Sequence, residues 1–309
     1  MMQQSVSDIP ISDAHEHSLR KIARLAFLLA AFAAAGWLLS NEWNAILTGL
    51  ATANLALIAL ALLAAISNVI LTGLYWRTLL MYAPIQPSIR SSARIFFIGQ
   101  IGKYLPGTVW SFLASSELAK QAGFPRATTI SSFVLALIIG LVTGAAIAAL
   151  TLTQIFDDNL PILPFIIGIS ILVLLGLRQD VRAFVLRLAK IDFPIPISTL
   201  CLSGIIAVLA WGLAGVHVLL LANAVEAGLD WTALPQLTGA YAFAWVAGFA
   251  VVIAPAGLGA REGALLVTLS LTMGLPEATI VVLLSRLVVT IADFCCAGAA
   301  MLISDPKAS

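Results

Sequence analysis

Charge is scarce in this sequence. Only 10% of its 309 residues are Asp, Glu, Lys or Arg, while 61% are hydrophobic, against about 25% charged in an ordinary soluble domain. Water would not keep such a surface dispersed, which excludes a soluble globular protein. Runs of one sign are missing too. Sixteen basic and fifteen acidic residues leave a net charge of +1, the basic residues are scattered, and the aromatics lie in apolar stretches, so no nucleic-acid partner is expected. Cysteine is nearly absent: Cys201, Cys295 and Cys296 all fall inside apolar stretches, without the spacing of a disulfide framework or a zinc site. Neither a metal nor a cofactor is expected. Paired carboxylates for general acid-base or metal chemistry reduce to Asp157-Asp158 in a short loop with no basic residue nearby, so a transferase acting on a polyprenyl phosphate ranks low, and neither an enzyme nor a catalytic residue is expected.

What the chain does have is long apolar runs. A membrane helix needs about 20 apolar residues, and six stretches qualify: 22–40, 50–75, 127–150, 160–177, 197–224 and 278–303. The first, whose apolar run from Leu25 to Leu39 is abutted by Arg20, Lys21 and Arg24, has the outline of a signal peptide but continues the pattern of the rest, and reads as an uncleaved helix. Two more apolar regions, 84–105 and 235–254, each run into a break, Pro106-Gly107 and Pro255-Ala256-Gly257-Leu258-Gly259. Proline removes a backbone donor and glycine frees the chain, so a helix stops or turns there. The segments that follow, 108–121 and 260–273, reach only about 21 Å as helix, too short to cross. Both regions therefore read as re-entrant hairpins. The fold class expected is an all-α polytopic membrane protein with about six transmembrane helices and two broken-helix hairpins.

Basic residues fix the orientation. With the amino terminus in the cytoplasm and each hairpin returning to its own side, Arg20, Lys21, Arg24, Arg77, Arg90, Arg94, Lys120, Arg126, Arg178, Arg182, Arg187, Lys190 and Lys307 all lie inside. The outer loops then hold only Glu42, Asp157, Asp158, Glu226 and Asp230, as the positive-inside rule requires. Both termini are cytoplasmic, in what reads as a prokaryotic plasma membrane. Trp37, Trp43, Trp76 and Trp231 near span ends read as aromatic belts.

The halves resemble each other. Gly123-Phe124-Pro125-Arg126-Ala127-Thr128 matches Gly274-Leu275-Pro276-Glu277-Ala278-Thr279 at an offset of 151 residues, which also brings Pro84 onto Pro235. The ordered series favours duplication over chance. The organisation expected is a cytoplasmic tail 1–19, a first repeat 20–152, a second repeat 153–303 and a tail 304–309. Three crossings per repeat invert the second copy, an arrangement many secondary transporters share.

Three cations remain at membrane depth: Lys103, Arg261 and Arg286. Ionised groups there are costly and face a cavity or a partner. Lys103 precedes the first break, Arg261 and Glu262 follow the second, and Arg286 sits mid-span with Asp293 seven residues on. The half-helix ends past the breaks expose unpaired N–H groups, and glycines let a phosphate approach. The substrate-binding residues expected are Lys103, Pro106, Gly107, Trp110, Pro255, Gly257, Gly259, Arg261, Glu262 and Arg286, with Glu262, Asp293 and Glu117 as proton-coupling candidates. The plainer readings are that Lys103 snorkels to the surface, that Arg286 merely neutralises Asp293 or Glu262, that Glu117 is a surface residue, and that His217 and Asn223 make helix-packing hydrogen bonds.

The segment Pro255-Ala256-Gly257-Leu258-Gly259-Ala260-Arg261-Glu262-Gly263, followed by Gly274 and by Leu284-Ser285-Arg286-Leu287, resembles the second-half signature of the lysylphosphatidylglycerol synthase transmembrane family, also described as flippase-like. Gly102-Lys103-Tyr104-Leu105-Pro106-Gly107-Thr108-Val109-Trp110 resembles a first-half motif of one branch. The resemblance covers about residues 20 to 303. It implies a membrane domain that moves an anionic lipid between leaflets, either a phosphatidylglycerol derivative or a polyprenyl-phosphate-linked sugar. Members that synthesise lysylphosphatidylglycerol carry a further soluble aminoacyltransferase domain, and with this chain ending at Ser309 synthesis is not expected of it. The family's acidic-then-arginine motif after the first break is here Ser115-Ser116-Glu117 without arginine, a departure that bears on the headgroup recognised. The competing reading is a non-transporting scaffold, its apolar helix faces pairing with a membrane glycosyltransferase partner or forming a homo-oligomer.

Overall fold

In hydrocarbon a backbone must satisfy its own polar groups, and apolar runs of this length do so as helix. The computed structural model describes residues 47, 49, 51–104, 110–152, 187, 193–250 and 259–303. Among them are eight α-helices: α1 Leu55–Thr78, α2 Ile89–Ala93, α3 Trp110–Gln121, α4 Arg126–Thr151, α5 Ile197–Ala224, α6 Leu234–Ala250, α7 Ala260–Leu269 and α8 Leu275–Leu302. A π-helical turn, Arg94–Ile98, and a 3₁₀ turn, Ile101–Tyr104, continue α2, and a 3₁₀ turn at Trp231–Ala233 leads into α6. No strand occurs among the described residues.

Helices α1, α4, α5 and α8 run 24, 26, 28 and 28 residues and are long and apolar enough to cross a bilayer. They match four of the six expected spans. The other two, 22–40 and 160–177, lie outside the described residues, as do the tails and both breaks up to Leu258.

Local sequence explains where these helices start. The Asn54 side chain accepts the N–H groups of Ala56 and Leu57 at 3.0 and 3.3 Å, capping α1. Between α3 and α4 the chain turns through Gly123 at φ 74° while Phe124 N–H reaches Ala119 C=O at 2.8 Å, a left-handed glycine stop. The matching Gly274 behaves differently: with φ −59° and ψ 153° it is the N-cap of α8, followed by Pro276 in the first turn. The two glycine-proline motifs align in sequence but not in backbone conformation.

Packing crosses between the halves. Helix α1 lies along α5, tied by the Asn68 amide donating to Ala210 C=O at 2.6 Å. The π turn before the first break leans on α8, and α6 before the second leans on α4. Each half also joins its first long helix to its last through a ring nitrogen and a serine hydroxyl: Trp76 Nε1 to Ser132 Oγ at 3.0 Å, and His217 Nε2 to Ser285 Oγ at 2.9 Å. Trp76 is thus not a belt residue. It is fully buried and stacked on Phe133 with ring centroids 4.7 Å apart. Trp231 is exposed at the start of its 3₁₀ turn. Among the described residues Asn223 bonds not to another helix but to the following loop, exchanging hydrogen bonds with Leu229 N–H and C=O.

Small residues let the limbs around each break approach closely. A Cβ on Gly99 would strike the Ser115 side chain, and one on Gly102 would strike the Trp110–Ser111 backbone, so the limb ending at Tyr104 and α3 run antiparallel. In the second half Gly248 of α6 lies against Arg261 of α7 in the same way.

Candidate functional site

The last long helix carries the site. On α8, Arg286 and Asp293 stand seven residues apart, about 10.5 Å along the axis, and each receives a partner of opposite charge from a different limb. From the first, the 3₁₀ turn at Ile101–Tyr104 delivers two groups to one carboxylate: Lys103 Nζ lies 2.7 Å from Asp293 Oδ2, and the Tyr104 hydroxyl donates to the same oxygen at 2.6 Å. Asp293 is 2% exposed, so an ammonium and a phenol between them replace the water it has lost. Lys103 ends on this carboxylate, which answers the snorkelling alternative. The Tyr104 ring also stacks on Phe294 at 5.6 Å, fixing the turn against the helix.

From the second limb comes Glu262, at the third position of α7. Its Oε2 accepts the Gly259 N–H at 2.8 Å, and its Oε1 lies 3.6 Å from Arg286 Nε. One carboxylate therefore caps its own helix and neutralises Arg286. The α7 terminus is consequently less open to an anion than the sequence suggests, since one of its free N–H groups is already taken. Gly259 has φ 86°, a conformation that only glycine adopts without strain, and it sits exposed at the entry to α7.

Arg261 is the third cation, and it is held differently. Its guanidinium lies over the Tyr241 ring at 4.9 Å and donates to the Tyr241 hydroxyl, a cation-π contact with a hydrogen bond. Among the described residues no carboxylate lies within ion-pairing distance of it. Tyr241 is in turn packed edge-on by His217, ring centroids 4.9 Å apart, and by Trp211. Trp245 stacks on Phe249 and meets Trp211 edge-on, so its role here is to pack the second limb.

The structure thus joins Lys103 to Asp293 and Glu262 to Arg286 on α8, while Arg261, next to Glu262 in sequence, rests on Tyr241 of α6. Trp110 and Gly259 lie at the starts of α3 and α7, the former 45% exposed. Pro106, Gly107, Pro255 and Gly257 are outside the described residues. Glu117 is not part of the cluster: it forms an exposed ion pair with Arg126, the surface role weighed for it. Two participants were not anticipated, Tyr104 and Tyr241. Each belongs to the limb entering a break, where a phenol offers an apolar ring with one polar tip. That is the signal by which sequence could have found them. Among the described residues no group of three His, Cys, Asp or Glu could hold a metal ion.

Beside the cluster lies an apolar groove of about 300 Å³ between α1, the first limb and α8, lined by Ile66, Ile70, Phe97, Cys296, Ala300 and Ile303. Cys296 is one turn beyond Asp293, so the groove begins where the ion pair ends.

Residues 22–296 match the family described as Lysylphosphatidylglycerol synthase TM region. The chain belongs to this family. With the four long apolar helices, the match makes this lysylphosphatidylglycerol synthase TM-region protein a multi-pass membrane protein. No curated protein matches the chain. In this family member both motifs that carry the resemblance supply charges to the site, Lys103 from the first, and Arg261, Glu262 and Arg286 from the second.

Proposed function

We propose that this protein moves an anionic lipid, such as a phosphatidylglycerol derivative or a polyprenyl-phosphate-linked sugar, between the leaflets of the plasma membrane. The observation that carries the reading is the charge cluster around α8, two ion pairs, Lys103 with Asp293 and Arg286 with Glu262, and Arg261 on Tyr241 next to Glu262 in sequence. A purely structural helix bundle has no use for five ionisable groups at membrane depth, each of which raises the cost of insertion. The apolar groove that starts one turn from Asp293 gives an acyl or prenyl chain a place beside a headgroup held at the cluster. Glu262 and Asp293 are the carboxylates that a coupled proton would reach.

The same reading takes the two limbs as re-entrant hairpins of an inverted repeat, with both termini in the cytoplasm. Its support is the exchanged packing, the limb that enters each break resting on the last long helix of the other half, and the ring-to-serine hydrogen bond repeated in each half. A bundle of this kind changes access by rocking one repeat against the other. Ion pairs that tie both limbs to α8 are contacts such a motion would break and remake.

Transbilayer movement in proteoliposomes tests the proposal. Fluorescent phosphatidylglycerol or polyprenyl-phosphate probes should cross faster with the native chain than in protein-free vesicles, and Lys103→Ala and Arg261→Ala should both abolish the difference while remaining folded. A folded native protein that moves no probe would overturn the reading.

A further inference from the structure

Charge balance at the cluster narrows the substrate, and this step rests on the lipid-transport reading above. Lys103 is matched by Asp293 and Arg286 by Glu262. Among the described residues Arg261 has the neutral Tyr241 ring and hydroxyl and no carboxylate. The undescribed breaks do not alter the count, because 105–109 and 251–258 contain no ionisable residue. Nor does Glu117, which is already paired with Arg126 in the exposed region. Among the described residues, three cations stand against two carboxylates, which leaves the site one positive charge.

We propose that this surplus charge selects a lipid headgroup carrying one net negative charge, a phosphodiester, over diphosphate-linked and zwitterionic lipids. The physical reason is the low dielectric. In water an extra charge on either partner is screened, whereas at membrane depth an unmatched charge keeps most of its cost. A phosphodiester on Arg261 closes the site at neutrality. A diphosphate leaves negative charge uncompensated, and reaching a second cation requires breaking an ion pair that already satisfies a 2%-exposed carboxylate. A zwitterionic headgroup brings an ammonium that finds Asp293 and Glu262 already occupied, so Arg261 stays unmatched. Arg261 is then the residue that sets specificity, seated at the start of α7 beside the exposed Gly259, whose own N–H is already taken by Glu262.

The test compares three fluorescent lipids with the same labelled chain, phosphatidylglycerol, phosphatidylcholine and a diphosphate-linked lipid, in proteoliposomes of the full-length protein. Phosphatidylglycerol should be moved faster than either other lipid by about tenfold or more, less than the full cost of an unbalanced charge at this depth. Glu262→Gln and Asp293→Asn each remove one negative charge at opposite ends of the cluster, and both should shift the preference toward the diphosphate lipid. A shift in that direction from either variant, if the other fails to fold, supports selection by total charge. Equal movement of all three lipids by the native protein, or a folded variant that keeps the native preference, overturns the inference while leaving lipid transport standing. No movement of any lipid by folded native protein removes the transport reading itself.

Discussion

Asp293 accepts a lysine ammonium and a phenol hydroxyl on one oxygen, and at the residue scale that double contact is the most consequential in the molecule. Tyr104→Phe, which removes one hydrogen bond to an ionised carboxylate, should lower stability by about 1.5 kcal/mol, and Asp293→Asn, which also leaves Lys103 without its counter-ion, by about 3 kcal/mol. Chemical unfolding in detergent micelles measures both, and equal stability for the two variants would rule out the charge-assisted geometry. Asp230 offers a pH-dependent contrast outside the spans. The Thr232 hydroxyl, and then its N–H, hold the Asp230 carboxyl below the ordinary carboxylate value. Being depressed on folding, it contributes stability above its unfolded pKa that is lost as pH falls through the folded one. Thr232→Val should move the Asp230 carbon chemical shift midpoint upward in an NMR titration. None of these partners could be read from spacing. Lys103 and Asp293 are 190 residues apart in sequence, and only folding decides which of two carboxylates takes which of three cations.

At the element scale, glycine decides where the limbs turn and how closely they pack. Gly259 enters α7 at φ 86°, so Gly259→Ala should cost about 1–2 kcal/mol for the left-handed backbone and loosen the Glu262 cap. Thermal unfolding of the purified protein reads the cost, and an unchanged midpoint would exclude this backbone conformation. Gly99→Leu should be more damaging than Gly204→Leu, because a side chain at Gly99 meets Ser115 whereas one at Gly204 meets nothing within 4 Å. Expression level and monodispersity of the two variants compare them directly. Helix identity at this scale was legible because unbroken apolar runs leave the backbone no partner but itself, and the expected span 127–150 differs from α4 by one residue at each end. The π turn and 3₁₀ turn before the first break were not legible. They are adjustments that seat Lys103 and Tyr104 against α8, and nothing local to that segment specifies α8.

At the scale of the whole molecule, α8 is the common strut, touched by α1, α5, α7 and the first limb. If the halves are inverted copies, single cysteines in a background lacking Cys201, Cys295 and Cys296 should label from opposite sides at Gln121 and Met273, the cytoplasmic reagent reaching Gln121 only. Labelling of both from one side would exclude the inversion. Sequence by itself determined that the chain lives in a membrane and that it is helical, because hydropathy and run length act through solvent alone and need no knowledge of neighbours, and it singled out five charges beside the breaks and on the last apolar run. It also carried the motifs by which the family is known. Tertiary structure alone decided the pairing of those charges, the burial of Trp76, the removal of Glu117 from the cluster and the isolation of Arg261 on a tyrosine. Each of these depends on which helices meet, and an apolar face with no preferred partner in its own sequence leaves that choice to packing.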